Sequence, residues 1–254
     1  MILTAVAVGL FVGLVVGALG AGGGILSVPA LVYLLGLSPH DAAAGSLVIV
    51  GVTAVVSLIA PARAGLVRWK DGALFGLLSV VGSAIGARLS ALINADLLMY
   101  LFGGLLIVVG GLMIRKGLRA KRGLPVAERG KVGPLGIVAA ASLTGFLTGL
   151  FGVGGGFAVV PMLVLVLSFR MREASATSLL VMIFATAAGL LGRLGTDAVI
   201  QWDVVLPFMI ASTLAGMIGG PLSKRAPSWL LTVIFGVLLE AVAIATLVAT
   251  GLNL

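Results

Sequence analysis

Shifted by 132 positions, the chain falls on itself without a gap: residues 13–49 and 145–181 share 15 identities in 37 positions. Gly13, Gly17, Gly20, Gly22, Gly23, Gly24, Val28, Pro29, Ala42, Ala44, Ser46 and Leu47 are matched by Gly145, Gly149, Gly152, Gly154, Gly155, Gly156, Val160, Pro161, Ala174, Ala176, Ser178 and Leu179. An apolar composition gives chance matches, but it does not give one spaced glycine string ending in Val-Pro twice. Asp71 and Asp203 keep the same offset, and beyond them the halves drift by about two residues, with Gly86 matched to Gly220. A fold for this chain must therefore use the same five-segment unit twice.

The solvent for that unit follows from the charges. Only 9% of the 254 residues are charged and 61% are hydrophobic, whereas a water-soluble domain carries about 25% charged residues. Too few charges remain to cover a water-facing surface, so the chain reads as all-α and polytopic, with lipid around most of it. Apolar segments fall at 2–20, 25–36, 41–62, 70–92, 95–115, 133–152, 157–168, 172–194, 203–222 and 228–251. Two of them, 25–36 and 157–168, are too short to span, since a crossing needs about 20 residues. Both follow a triple glycine and carry a proline early, and both read as half-helices. The count is then ten segments at most, or eight crossing equivalents with the half-helices added.

Placing the Lys and Arg residues sets the orientation. Arg63, Arg68 and Lys70 follow segment three; Arg115, Lys116, Arg119, Lys121, Arg122, Arg129 and Lys131 fill the one long loop; Arg170 and Arg172 follow segment seven; Lys224 and Arg225 follow segment nine. Alternation of sides brings fourteen of the sixteen to one face. The positive-inside rule makes that face cytoplasmic and puts both termini outside a cell inner (plasma) membrane. The parity is the same whether the short segments cross or re-enter. Five segments per half is an odd number, so the halves enter the membrane in opposite senses: residues 1–115 and 133–254 form two inverted repeats, and 116–132 is a basic cytoplasmic linker. Trp69, Trp202 and Trp229 lie near helix starts, where amphipathic rings anchor at headgroup level.

Inverted repeats with broken helices are a recurring plan of secondary transporters, with substrate held near the midplane. Unwound backbone at membrane depth is tolerated only when it is enclosed in protein or lines a wet cavity. A half-helix after such a break offers unpaired N–H groups and the positive end of its dipole, which suits an oxyanion without any basic side chain. Pro29 and Pro161, close to the first turn, cost little there. Ser46, Thr177 and Ser178, near the start of the next helix, would complete an anion's hydrogen bonds or bond back to their own helix. The same glycines would alternatively serve only the tight packing of a buried hairpin. Gly9, Gly13 and Gly17 form a small-residue stripe that allows close helix approach, and such stripes permit a homodimer.

Charged side chains inside the membrane are few. Glu240, mid-way along the last segment, is a candidate for coupling to a proton or a protonated core residue. Arg88 and Arg193 lie toward the face opposite the basic clusters, where they snorkel or steer an anion. His40 and Asp41 fall in a turn on that face.

The composition also excludes several classes of function. No cysteine is present, so disulfides, thiolate metal sites and cysteine-based sulfur chemistry are absent. With one histidine and no paired intramembrane carboxylates, the usual acids, bases and metal ligands of an enzyme are lacking, and no cofactor, metal or catalytic residue is expected. The glycine strings lack the Gly-Lys-Ser/Thr ending of a phosphate loop. The net charge of +8 comes with no nucleic-acid-binding motif.

The doubled glycine string with its Val-Pro, and the Ala-rich helix starts bearing Ser46 and Ser178, resemble the TauE/SafE sulfite exporter family over nearly the whole chain. The resemblance implies a membrane protein that moves sulfite, organosulfonates such as sulfoacetate, or small carboxylates. It maps the family motif onto Gly20, Gly22, Gly23, Gly24 and Pro29, and onto Gly152, Gly154, Gly155, Gly156 and Pro161. Thiosulfate-uptake proteins of similar architecture use cysteines, and this chain has none. An uncoupled anion channel would use the same site.

Overall fold

The computed structural model describes residues 2–19, 24–122, 133–222 and 226–252. Among them stand ten helices and no strand. They are α1 (Ile2–Leu19), α2 (Gly24–Pro29) continued by a π-helical turn (Ala30–Leu34), α3 (Pro39–Arg63), α4 (Trp69–Ser90), α5 (Ala95–Lys121), α6 (Pro134–Phe151), α7 (Gly156–Leu165), α8 (Met171–Gly192), α9 (Trp202–Leu222) and α10 (Ser228–Gly251). The boundaries follow the apolar segments to within a few residues, except that α5 runs on to Lys121, into the basic segment. Five helices, α3, α4, α5, α8 and α10, are long and apolar enough to cross a membrane. Trp69 opens α4 and Trp202 opens α9, each more than half exposed.

The halves do not pack as separate bodies. They exchange their first helices: α1 lies on α9, and α6 lies on α4. Other pairings between the halves are α3 on α9, α8 on α4 and α10 on α5, while α2 on α3 and α7 on α8 stay within one half. Glycines bring α6 against α4. A Cβ on Gly145 would overlap the Ser79 carbonyl, and one on Gly149 the Ser83 carbonyl. Across the other pair, Gly13 meets Ser212 in the same way, and Gly9 meets Phe208. Lipid gives helices no hydrophobic reason to associate, so close backbone approach through small residues supplies the attraction.

These contacts also fix the directions. Gly9 against Phe208 and Gly13 against Ser212 make α1 parallel to α9; Gly145 against Ser79 and Gly149 against Ser83 make α6 parallel to α4. With Arg129, Lys131, Lys224 and Arg225 outside the described residues, the described residues of three basic clusters, at 63–70, 115–122 and 170–172, meet at one end of the bundle. There the Arg68 guanidinium pairs with Glu173 at 2.9 Å and lies over the Phe169 ring, Arg172 donates to the Ala226 carbonyl, and the Lys121 ammonium lies over Trp229. At the far end Val199 N–H donates to the Asp41 carboxylate and the Tyr33 hydroxyl pairs with Thr250 at 2.6 Å.

Helix α1 therefore starts at the far end with α9, and the π turn after α2 returns to that end through Tyr33. Helix α6 starts at the basic end with α4, and α7 returns there, where Lys116 donates to the Val164 carbonyl. Each half-helix thus re-enters rather than crosses, and the two hairpins enter from opposite ends.

Two outcomes test this arrangement. Gly149→Ala and Gly13→Ala should each lower stability by about 1–3 kcal/mol, because overpacking at a fixed backbone contact costs that much, whereas Gly104→Ala, whose added Cβ meets nothing within 4 Å, should not; thermal melting in detergent measures both. In this cysteine-free chain, single cysteines at Gly36 and Asp197 should label from one side of the membrane and one at Arg122 from the other.

Candidate functional site

The break between α6 and α7 is a buried turn built from left-handed residues. Gly152, Gly154 and Gly155 have φ of +67°, +66° and +78°, a region closed to side chains with a Cβ at modest cost only for glycine. The turn lies directly on α3: a Cβ on Gly152 would overlap Ala43, and one on Gly154 would overlap Val50. Gly155 lies against the Thr148 hydroxyl, which donates back to the Thr144 carbonyl. An aromatic triad holds the turn from the other side. Phe151 before it and Phe157 after it both stack with Phe102 of α5, at 5.4 and 5.7 Å between centroids.

Ser46 stands on the face of α3 that the turn covers. Ala43, Ser46 and Val50 share one helical stripe by their spacing of three and four, and Gly152 and Gly154 bracket Ser46 by touching the residues on either side of it. Its side chain is fully buried, and its Oγ has no hydrogen-bond partner. Other buried mid-helix hydroxyls, Thr144, Thr148 and Thr186, bond back to the carbonyl four residues earlier, while Ser57 and Thr246 share the want of a partner. A buried hydroxyl without a protein partner costs about 1–3 kcal/mol, so the position of Ser46 beside an unwound turn makes it a candidate donor to a ligand.

In the other half, Gly20, Gly22 and Gly23 lie outside the described residues, and Gly24 opens α2. Just before that break, Ser175 donates to the Leu19 carbonyl at 2.6 Å, and Ser175 occupies the position that Ala43 holds under the repeat. Ser178 donates to Ser175 O at 2.8 Å. Thr177 faces another way. Its hydroxyl accepts from the Arg68 N–H and its methyl lies on Gly72, which ties the α3–α4 connection to α8. The two broken helices, α2 and α7, touch each other.

Pro29 and Pro161 are each the sixth residue of their helices, later than a first-turn position. Each lacks the N–H that the carbonyl four residues earlier, of Ile25 or Phe157, would accept. The backbone is thus polar beyond the glycines themselves.

Of the intramembrane charges, Glu240 sits in the seam of α10 with α5, its Oε1 over Gly110 and Gly111, and the glycine turn is on other helices. Arg88 is exposed, as a snorkelling residue would be. Arg193 is buried instead, and it donates to Ser90 Oγ at 3.3 Å and Gly149 O at 3.2 Å. A cation at the C-terminal end of α6 meets the negative end of that helix. Arg193 and the Phe102 triad are the features near the turn that spacing alone did not reveal; both join residues far apart in the chain. No group of three or more metal-ligating side chains exists among the described residues.

Phe102→Ala should destabilise the fold by about 3–5 kcal/mol. Gly154→Ala should cost more than the same change at Gly104, because strain and overlap add; unfolding in detergent checks both.

Comparison with known proteins agrees over almost the whole chain. Residues 5–246 match the family described as sulfite exporter TauE/SafE. A "Probable membrane transporter protein" of Xylella fastidiosa (strain 9a5c) is 35% identical over 244 residues, covering 92% of this chain and 90% of that protein. The "Probable membrane transporter protein YunE" of Bacillus subtilis (strain 168) is 29% identical over 255 residues, covering 92% and 93%. No solved structure matches the chain.

Proposed function

The chain belongs to the TauE/SafE sulfite exporter family of membrane transporters, and on that premise we propose that it is a secondary transporter of a small oxyanion. The substrate class is sulfite, an organosulfonate such as sulfoacetate, or a small carboxylate. It is held where the left-handed turn opens α7, with Ser46 as its side-chain partner. The observation that carries this reading is the orphaned Ser46 hydroxyl beneath that turn. The first N–H groups of a helix have no intrahelical partner, so an anion at the start of α7 gains both them and the hydroxyl. The basic end of the bundle is then the cytoplasmic one of an inner membrane, and both termini lie outside.

Glu240 is the acidic group through which a proton gradient would act, and it separates this reading from an uncoupled channel. If Glu240→Gln leaves anion flux and its response to a pH gradient unchanged, the protein conducts as a channel.

The binding test is thermal shift of purified protein with sulfite, sulfoacetate, taurine, lactate and pyruvate. A ligand at a hundredfold excess over Kd raises stability by about 2.7 kcal/mol. Ser46→Ala should weaken binding about tenfold, the value of one hydrogen bond to a charged ligand. Absence of any shift with every anion would sink the proposal.

A further inference from the structure

Ser46 is not the only orphaned hydroxyl on α3. Ser57 is buried, and its Oγ also lacks a partner. It is further exceptional because Pro61, four residues on, has no N–H to give its carbonyl. Between them Thr53 shares its hydroxyl with Ser212 at 3.1 Å and Thr213 at 3.3 Å on α9. Ser57 then faces Gly216, one turn further along α9.

Ser46, Val50, Thr53 and Ser57 fall on one stripe by their spacing of four, three and four. The stripe runs about 16 Å along the helix, at 1.5 Å per residue, from the glycine turn toward the end bearing Arg63. One residue in it is apolar. Val50 packs with Ala54, Leu179 and Met182 in a small buried cluster, and Gly154 covers it.

We propose that this face of α3 is one half of the substrate route from the basic end, hydroxyl-lined from Ser57 to Thr53 and closed upon Ser46 by Val50 with Leu179 and Met182. The proposal rests on the anion-site reading and adds to it a path and a gate. The orphaned hydroxyls take water or the passing anion as partners. The apolar cluster shuts the path as hydrophobic constrictions do, by excluding water. The corresponding seam of the other half has no such file. Ala185 and Gly189 stand where α3 has Thr53 and Ser57, and Ser83 of α4 is satisfied by the Ala185 carbonyl at 2.7 Å. The route to the far end is therefore built differently.

A chain without cysteine allows each position to be tested alone. Single variants Ser46→Cys, Ser57→Cys and the lipid-facing control Val55→Cys are reconstituted in vesicles and treated with a membrane-impermeant methanethiosulfonate from either side. The thiolate is the reacting form and apolar burial suppresses it, so Ser57→Cys should react at least about tenfold faster than Val55→Cys, from the basic-end side only. Ser46→Cys should react slowly, and Val50→Ser added to it should speed it about tenfold.

Reaction of Ser57→Cys no faster than the control, in protein that elutes and melts like the parent, overturns the route. Ser46→Cys reacting as fast with Val50 as with serine there overturns the gate. Sulfoacetate, a sulfonate that does not react with the thiosulfonate as sulfite would, is added to the Ser46→Cys, Val50→Ser protein as a separate arm. Protection supports a route that ends at an anion site; a gated route without protection keeps the path and removes the anion reading.

Discussion

A peptide group that leaves its helix inside lipid has nothing to bond to, and this requirement organises the whole molecule. The glycine turn at 152–155 breaks α6 from α7 within the buried interior, so it must be enclosed by other helices. Enclosure is achieved by exchange. Because α6 lies on α4 and the 152–155 turn lies on α3, the second half's break is wrapped by the first half. The close backbone contacts of Gly145 and Gly149 are then not incidental packing; they bring the walls near enough to cover the turn.

Within this repeated frame the chemistry is not repeated. The backbone pairings map on one another, yet α3 carries Thr53 and Ser57 where α8 carries Ala185 and Gly189. The glycine and serine of the seam have traded helices: Ser57 faces Gly216 on one side, and Gly189 faces Ser83 on the other. Volume is conserved across that one contact, although α4 and α8 meet more extensively than α3 and α9. The hydroxyls are differently employed, with Ser83 bonded to a carbonyl and Ser57 left open.

The sequence disclosed the helices, the repeat and the glycine breaks, because those are one-dimensional facts of period and spacing. Basic residues near 63–70, 115–122 and 170–172 disclosed their common end for the same reason. Whether the short segments cross or re-enter was not legible, since both give the same parity; Tyr33 meeting Thr250 and Lys116 meeting Val164 decide it. Ser46, Thr177 and Ser178 looked equivalent as helix-start hydroxyls, but one is orphaned, one accepts from Arg68 and one is bonded back. That distinction depends on which neighbour each faces, and the partners lie over a hundred residues away. Arg193 was read as a surface cation because its acceptors, Ser90 and Gly149, cannot be seen from position 193.

The exchange of first helices also sets an order of events during synthesis. Helix α6 emerges into a membrane where α4 is already inserted, and it can dock at once. Helix α1 emerges first of all and finds α9 only after about two hundred more residues have been made. Loop closure over such a span makes this pairing the slow, long-range one. Near-equivalent halves are thus assembled in unequal order: α6 has its partner helix when it is made, whereas α1 waits for one made about two hundred residues later.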